Sequence, residues 1–316
     1  NNTGESIDGP IPLYKIDLAY LPDTEFMDPR PSQRFMGYFD QRRIRALLID
    51  HLRGLEQYGD CFNEDQSAIK ALNNNPLLYR LGKHTKLPPH FFRNIPPEDF
   101  AILSEKLEIR EGNDRIYFYL RDVYSAETSI SNHIQALLAQ PDHDTVWKGT
   151  EEYIANSVEE LRQPENIGDR FNIEGFRAER RHLFCHALKK HFFVITGSPG
   201  TGKSFELLRI IRILTGLNEK VLILTPTGKA AQRLNVEIRD TGLQAKTIDK
   251  ILHDIKKRNH DISSFDNIIL DEMSMVDLIK LNDLLHNLNV HNPKYKRLIF
   301  CGDKNQLPSI GYGKVL

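Results

Sequence analysis

Residues 191–214 read HFFVITGSPGTGKSFELLRIIRIL. The apolar run HFFVIT (191–196) suits a buried strand, and Ser204–Leu214 carries the three- and four-residue spacing of a helix. Between them GSPGTGKS, Gly197 to Ser204, matches G-x-x-x-x-G-K-[ST] at every position and sits between strand and helix, where that motif needs to be. Its glycines let the backbone curl until successive N–H groups point inward, and the helix that follows adds its positive end. Such a loop cradles phosphates. Gly197, Ser198, Pro199, Gly200, Thr201, Gly202, Lys203, Ser204 and Phe205 are the expected nucleotide-binding residues, with Lys203 reaching the outer phosphates and the Ser204 hydroxyl on Mg²⁺.

Outward from the loop the same texture repeats. Phe176–Lys190 is predicted helical, VLILTP (221–226) a strand, Gly228–Ile238 a helix, NIILDE (267–272) a strand, Val276–Leu288 a helix and RLIFCG (297–302) a strand. Short apolar strands alternating with helices predict an α/β domain whose parallel sheet is covered on both faces. Asp271 and Glu272 close the third strand, at the carboxyl end where such sheets bind ligands. Asp271 can hold Mg²⁺ through water, and Glu272 can orient and deprotonate an attacking water.

Residues 171–316 hold 23 Lys+Arg against 15 Asp+Glu, which leaves 19 against 28 for residues 1–170. A basic half beside an acidic half suits one surface that attracts phosphates and another that does not. The acidic half is read as a mainly helical α+β domain over 1–165, ahead of the nucleotide domain at 166–316. Residues 1–35 look like an extended arm, Gln41–Gln57 a helix, LPPHFFRNIPP (87–97) a Pro-broken connector and 114–124 an aromatic strand. A helix should follow with Val123, Ile130, Ile134, Leu137 and Leu138 on one face, and a polar linker lies around Arg162–Asp169. The start lacks the basic and apolar segments of a signal peptide, and no apolar run is long enough for a membrane span. Cys61, Cys185 and Cys301 are far apart, read as small buried hydrophobes of a cytoplasmic protein. His182, Cys185 and His186 share a helix face, yet no fourth ligand has matching spacing and structural zinc sites are usually four-coordinate, so that face is read as packing. KKRNH (256–260) is a basic patch or a solvated loop.

TPTGKAAQRL (225–234), AKTIDKILH (245–253), DEMSM (271–275) and GDKNQLPSIGYGKVL (302–316) together resemble the exodeoxyribonuclease V alpha subunit and its RecD-like relatives, superfamily 1 DNA helicases that move 5′ to 3′. The match covers residues 176–316 and extends faintly to YLRDVYSAETSISNHI. It implies a RecA-like P-loop NTPase fold using ATP and Mg²⁺, single-stranded DNA as partner, a role in repair or recombination, and partner subunits of a nuclease–helicase complex docked through the N-terminal domain. Lys203, Asp271, Glu272 and Gln306 would be catalytic, with Gln306 contacting the γ-phosphate and Ser204 and Asp271 serving Mg²⁺. Thr225, Thr227, Lys229 and Thr247 would touch DNA, a set of hydroxyls and a cation that grips phosphates without reading bases.

Three positions depart from the family pattern. Arg180 stands where a Gln usually reads adenine, and Asp249 stands where a His is common. The segment 254–266 leaves little room for a hairpin that wedges duplexes apart. The chain also ends inside the Gln motif, before the second RecA-like domain that the family uses to complete its cleft. The expectation is half of a motor that binds nucleotide and turns it over slowly or not at all alone. The alternative is a nucleotide-binding interaction subunit of a DNA-processing complex.

Overall fold

The computed structural model describes residues 39–75, 86–144, 148–149, 151–153, 155–156, 172–257, 262–292, 294–306 and 309–316. The expected arm at 1–35 and the linker around 162–169 lie outside them. The chain forms two compact units, Asn1–Ser125 and Ala126–Leu316. Their division falls inside one helix, Arg121–Leu138, ahead of the 165/166 boundary read from the sequence.

The first unit holds α1 (Gln41–Gly54), β1 (Phe62–Glu64), α2 (Asp65–Asn74), α3 (Pro97–Ser104), β2 (Leu107–Gly112), β3 (Arg115–Leu120) and the start of α4 (Arg121–Leu138). Asp40 caps α1 by accepting from the Arg42 amide at 2.9 Å. Ile44, Leu47, Leu48 and Leu52 form its buried stripe, and beyond Gly54 the chain tightens into a 3-10 turn, Leu55–Tyr58. The strands pair antiparallel in the order β1-β3-β2. Asn113 and Asp114 join β2 to β3 with φ of 53° and 57°, and Gly112 faces Arg115. Two residues with positive φ make the tight turn whose twist suits a hairpin. The expected strand over 114–124 is therefore too long. It closes at Leu120, and from Arg121 the buried set steps through Val123, Ala126, Ile130 and Leu137, a helical period. Leu138, expected on that face, is exposed.

The second unit continues with α5 (Ile173–Lys189), β4 (Phe192–Thr196), α6 (Lys203–Gly216), β5 (Val221–Thr225), α7 (Gly228–Glu237), β6 (Ala245–Thr247), α8 (Ile248–Lys256), β7 (Asn267–Leu270), α9 (Leu278–His291) and β8 (Arg297–Gly302). Its five strands are all parallel, in the order β4-β8-β7-β5-β6. Every residue of β5, β7 and β8 is buried, as a sheet covered on both faces requires. One core joins Ile195, Ile223, Ile269 and Ile299 to Leu207, Ile210, Ile211 and Leu214 of α6 and to Phe184 and Leu188 of α5. The fifth strand, β6, is only three residues long and merges into α8, so no periodicity announces it. Asp277 caps α9 by accepting from the Lys280 amide at 2.8 Å, which starts that helix at Leu278 rather than Val276. Among the cysteines only Cys301 is buried; Cys185 is exposed, off the buried stripe of Phe184, Ala187 and Leu188 on α5, and Cys61 is half-buried just before β1. Among the described residues, no helix is long and apolar enough to cross a membrane.

Candidate nucleotide and nucleic-acid site

The strand register brings the expected residues to one edge. Thr196 lies level with Gly302 and Leu270 with Phe300, so Gly197, Asp303 and Asp271 leave neighbouring strands at the same end of the sheet. The loop between β4 and α6 is tight. A Cβ on Gly197 would stand 2.8 Å from Thr201 Oγ1, and Gly202 takes a left-handed φ of 86° as the cap of α6. Thr201 Oγ1 donates to the Ser198 carbonyl at 2.8 Å. Lys203 Nζ donates to the carbonyls of Gly197 and Ser198, at 2.5 and 2.8 Å, so its ammonium lies across the curl of the loop. Ser204 is half-buried, and the Phe205 ring beside it is exposed.

Asp271 is 4% exposed. Its Oδ1 accepts from the Glu272 amide at 2.9 Å, while Oδ2 has no hydrogen-bond partner. Burial pushes its carboxyl above the usual range, opposed by the Glu272 N–H and the Cys301 thiol. An anionic oxygen held out of water without a donor is costly, and a cation is what would satisfy it. The cradle and this oxygen fit Mg²⁺-nucleotide. Asp303, 1% exposed, repeats the pattern: Oδ1 accepts from the Asn305 amide at 2.9 Å and Oδ2 has no partner. Gln306 is exposed just beyond, its amide donating to the Asp303 carbonyl at 3.0 Å.

Glu272 takes a left-handed backbone, φ 56°, a conformation that costs a side-chain-bearing residue roughly 1–3 kcal/mol. Its Oε1 accepts from Arg233 Nη2 of α7 at 3.0 Å, and the same nitrogen stands 3.9 Å from Asp271 Oδ2. The sequence reading had passed over Arg233. Its signal is the Arg of AAQRL, but the partner lies across the sheet on another segment.

The four expected DNA contacts divide. Thr225 is fully buried and its hydroxyl donates to the Thr227 carbonyl at 3.0 Å, so its side chain shapes the turn from within. Thr227 and Thr247 cap α7 and α8, accepting from the amides of Ala230 and Lys250 at 3.2 Å each. Lys229 is exposed. Asp249 is paired with Lys280 at 3.1 Å, which offsets its charge near that edge. Arg180 does not stand free beside the loop. Its Nε donates to Glu206 Oε1 at 2.6 Å and its guanidinium lies 4.3 Å from the Phe176 ring, while Glu206 Oε2 accepts from the Tyr153 hydroxyl at 3.1 Å. His182 and His186 stack on each other at 3.9 Å, and among the described residues no three His, Cys, Asp or Glu are grouped to hold a metal.

A family model described as an AAA domain matches residues 181–312. The chain is 30% identical over 302 residues to an uncharacterized protein of Methanocaldococcus jannaschii, covering 86% of this chain and 25% of that one. It is 28% identical over 220 residues to the ATP-dependent RecD2 DNA helicase of Deinococcus radiodurans, covering 68% of this chain and 27% of the helicase. It is 31% identical over 157 residues to the RecBCD enzyme subunit RecD of Haemophilus influenzae, covering 41% and 24%. The chain thus spans about a quarter of the length of these relatives. Its parallel P-loop domain and its matched sequence place it among the relatives of the RecD-like superfamily 1 helicases.

Proposed function

We propose that this chain belongs to an ATP-dependent DNA helicase or translocase that moves 5′ to 3′ on single-stranded DNA in repair or recombination. The observation that carries the nucleotide part of the reading is the phosphate loop opening the same strand-end row as the buried Asp271, whose Oδ2 lacks a hydrogen-bond donor and has only the Arg233 guanidinium at 3.9 Å. A bound Mg²⁺-nucleotide would satisfy that oxygen.

A bound Mg²⁺ would offset the charge of the outer phosphates. The loop amides and the start of α6 face the phosphates, and Lys203 exchanges its bonds to the Gly197 and Ser198 carbonyls for phosphate oxygens. Ser204 and Asp271 would hold the metal. Glu272 takes the proton of the attacking water, and Gln306 reaches toward the γ-phosphate. Arg180, engaged by Glu206, braces the loop in place of a side chain reading the base, so adenine is selected weakly. Lys229, with the capped turns at Thr227 and Thr247, meets the DNA backbone. The N-terminal domain docks partner subunits; the exposed Tyr58 and Phe62 offer rings for such a contact.

The test is binding of fluorescent nucleotide and of oligothymidine by the chain, and unwinding of 5′-tailed against 3′-tailed duplexes by the motor that contains it. Mg²⁺-dependent nucleotide binding lost in Lys203→Ala, with preference for 5′ tails, is the expected result. Nucleotide binding indifferent to both Mg²⁺ and Lys203 would sink the reading.

A further inference from the structure

Helix α7 carries two cations on one exposed face. Lys229 and Arg233 are four residues apart, so their side chains lie one turn from each other. The Arg233 side chain is 52% exposed, and it reaches from that face to Glu272, whose side chain is 24% exposed. A pair so open to water is weakly held, and a competing anion can take one partner from the other. The phosphates that Lys229 would bind are such anions.

We infer that Arg233 is shared between Glu272 and the DNA backbone. Without DNA its guanidinium pairs with Glu272 Oε1, which holds that carboxylate toward α7 and lowers its readiness to take a proton. A phosphate arriving on the α7 face draws Arg233 away and releases the base. Arg233 is then both a DNA-contacting residue and the residue that positions Glu272, which ties hydrolysis to the presence of the track. The inference rests on the DNA-dependent ATPase reading above.

Competition is reciprocal, so it can be read from DNA binding without any turnover. The wild-type chain, Arg233→Gln, Arg233→Lys, Glu272→Gln and the Arg233→Gln/Glu272→Gln double variant would be titrated with fluorescent oligothymidine at several salt concentrations, each first melted to show that it is folded. Glu272→Gln removes the nearer of the two charges that hold Arg233, leaving Asp271 Oδ2 at 3.9 Å, and single-stranded DNA should bind roughly fivefold or more tightly. Its salt dependence should steepen by about 0.7, one added phosphate contact. Arg233→Gln should bind DNA no more tightly than wild type, Arg233→Lys should keep the response to salt, and the double variant should match Arg233→Gln alone. A gain from Glu272→Gln that persists in the Arg233→Gln background would reduce the effect to general charge and overturn the inference, as would no gain at all. Failure of the wild-type chain to bind oligothymidine would overturn the DNA reading as well, whereas binding without coupling overturns only the role of Arg233.

Discussion

The two ends of the five-stranded sheet use the same kinds of side chain to opposite effect. At the amino end Arg297 is fully buried, yet Nε donates to the Leu188 carbonyl at 2.7 Å and Nη1 donates to Glu219 Oε2 and Asn267 Oδ1 at 2.6 and 2.9 Å. Glu219 is answered in turn by Asn267 and by Lys296, at 2.9 and 3.1 Å. At the carboxyl end Asp271 and Asp303 are as deeply buried, and each keeps one oxygen without a donor. The Arg297 cluster at the first end is answered within the chain and pins α5, β7 and β8 together. The second is open by one ligand, so stability is given up where a cation and phosphates would restore it. Buried charge by itself marks neither structure nor function; whether the chain completes its hydrogen bonds is what separates the two.

The strongest way to break this contrast is Arg297→Ala. It removes a buried cation, leaves the Leu188 carbonyl and Asn267 Oδ1 without that donor and Glu219 with Lys296 as its near cation, and should cost about 3–5 kcal/mol in denaturant unfolding. A loss under about 1 kcal/mol would mean that water already reaches that end. Next comes Lys203→Ala, which removes charge-assisted bonds worth about 1.5–3 kcal/mol. Nucleotide affinity should fall by roughly tenfold or more by fluorescence titration, while nucleotide-free stability moves by no more than about 0.5 kcal/mol. Asp271→Asn should do the reverse. Mg²⁺-dependent nucleotide binding is lost, yet the free protein melts about 2–4 °C higher, an effect of roughly 1 kcal/mol.

The smallest effects, and the sharpest, are the opposed pH dependences. Burial raises the Asp271 carboxyl, so the native state keeps that proton to higher pH than the unfolded chain does. Its penalty is absent in acid and grows as pH rises from the ordinary aspartate range through the raised value. Burial also works to raise Glu219, but the Asn267 hydrogen bond and the charges of Arg297 and Lys296 outweigh it and hold the carboxyl below its usual value. Its stabilisation is present above the ordinary glutamate range and is lost as pH falls through the lowered value. Melting wild type, Asp271→Asn and Glu219→Gln from about pH 2 to about pH 8 spans both windows. The advantage of Asp271→Asn should widen toward neutral pH, and the deficit of Glu219→Gln should shrink toward acid. Parallel curves for the two variants would erase the distinction between the ends.

Features set by local chain chemistry were legible before any coordinates. The strand–GSPGTGKS–helix unit needs glycines at fixed offsets, and Asn267–Leu270 delivers Asp271 and Glu272 because an apolar run ends there. Errors arose where neighbouring elements overrode local pattern. The aromatic run of β3 suggested a strand through Tyr124, but the turn to helix at Arg121 follows from packing. Leu138 fits the periodic stripe of α4, yet the packing around that helix end leaves it exposed.

By itself the sequence determined the phosphate loop, the alternation of strands with helices and the acidic pair at a strand end, because each is written in consecutive residues whose backbone needs are local. Only the tertiary structure decided which charges meet. Arg233 reaches Glu272, and Arg297 reaches Glu219, because the strand order puts β7 between β5 and β8. Arg233 and Glu272 are 39 positions apart and Glu219 and Arg297 are 78 apart, and the intervening sequence holds no local signal of either pair. Hydrogen-bond satisfaction belongs to pairs brought together by the sheet, and it was this that told the closed end from the open one.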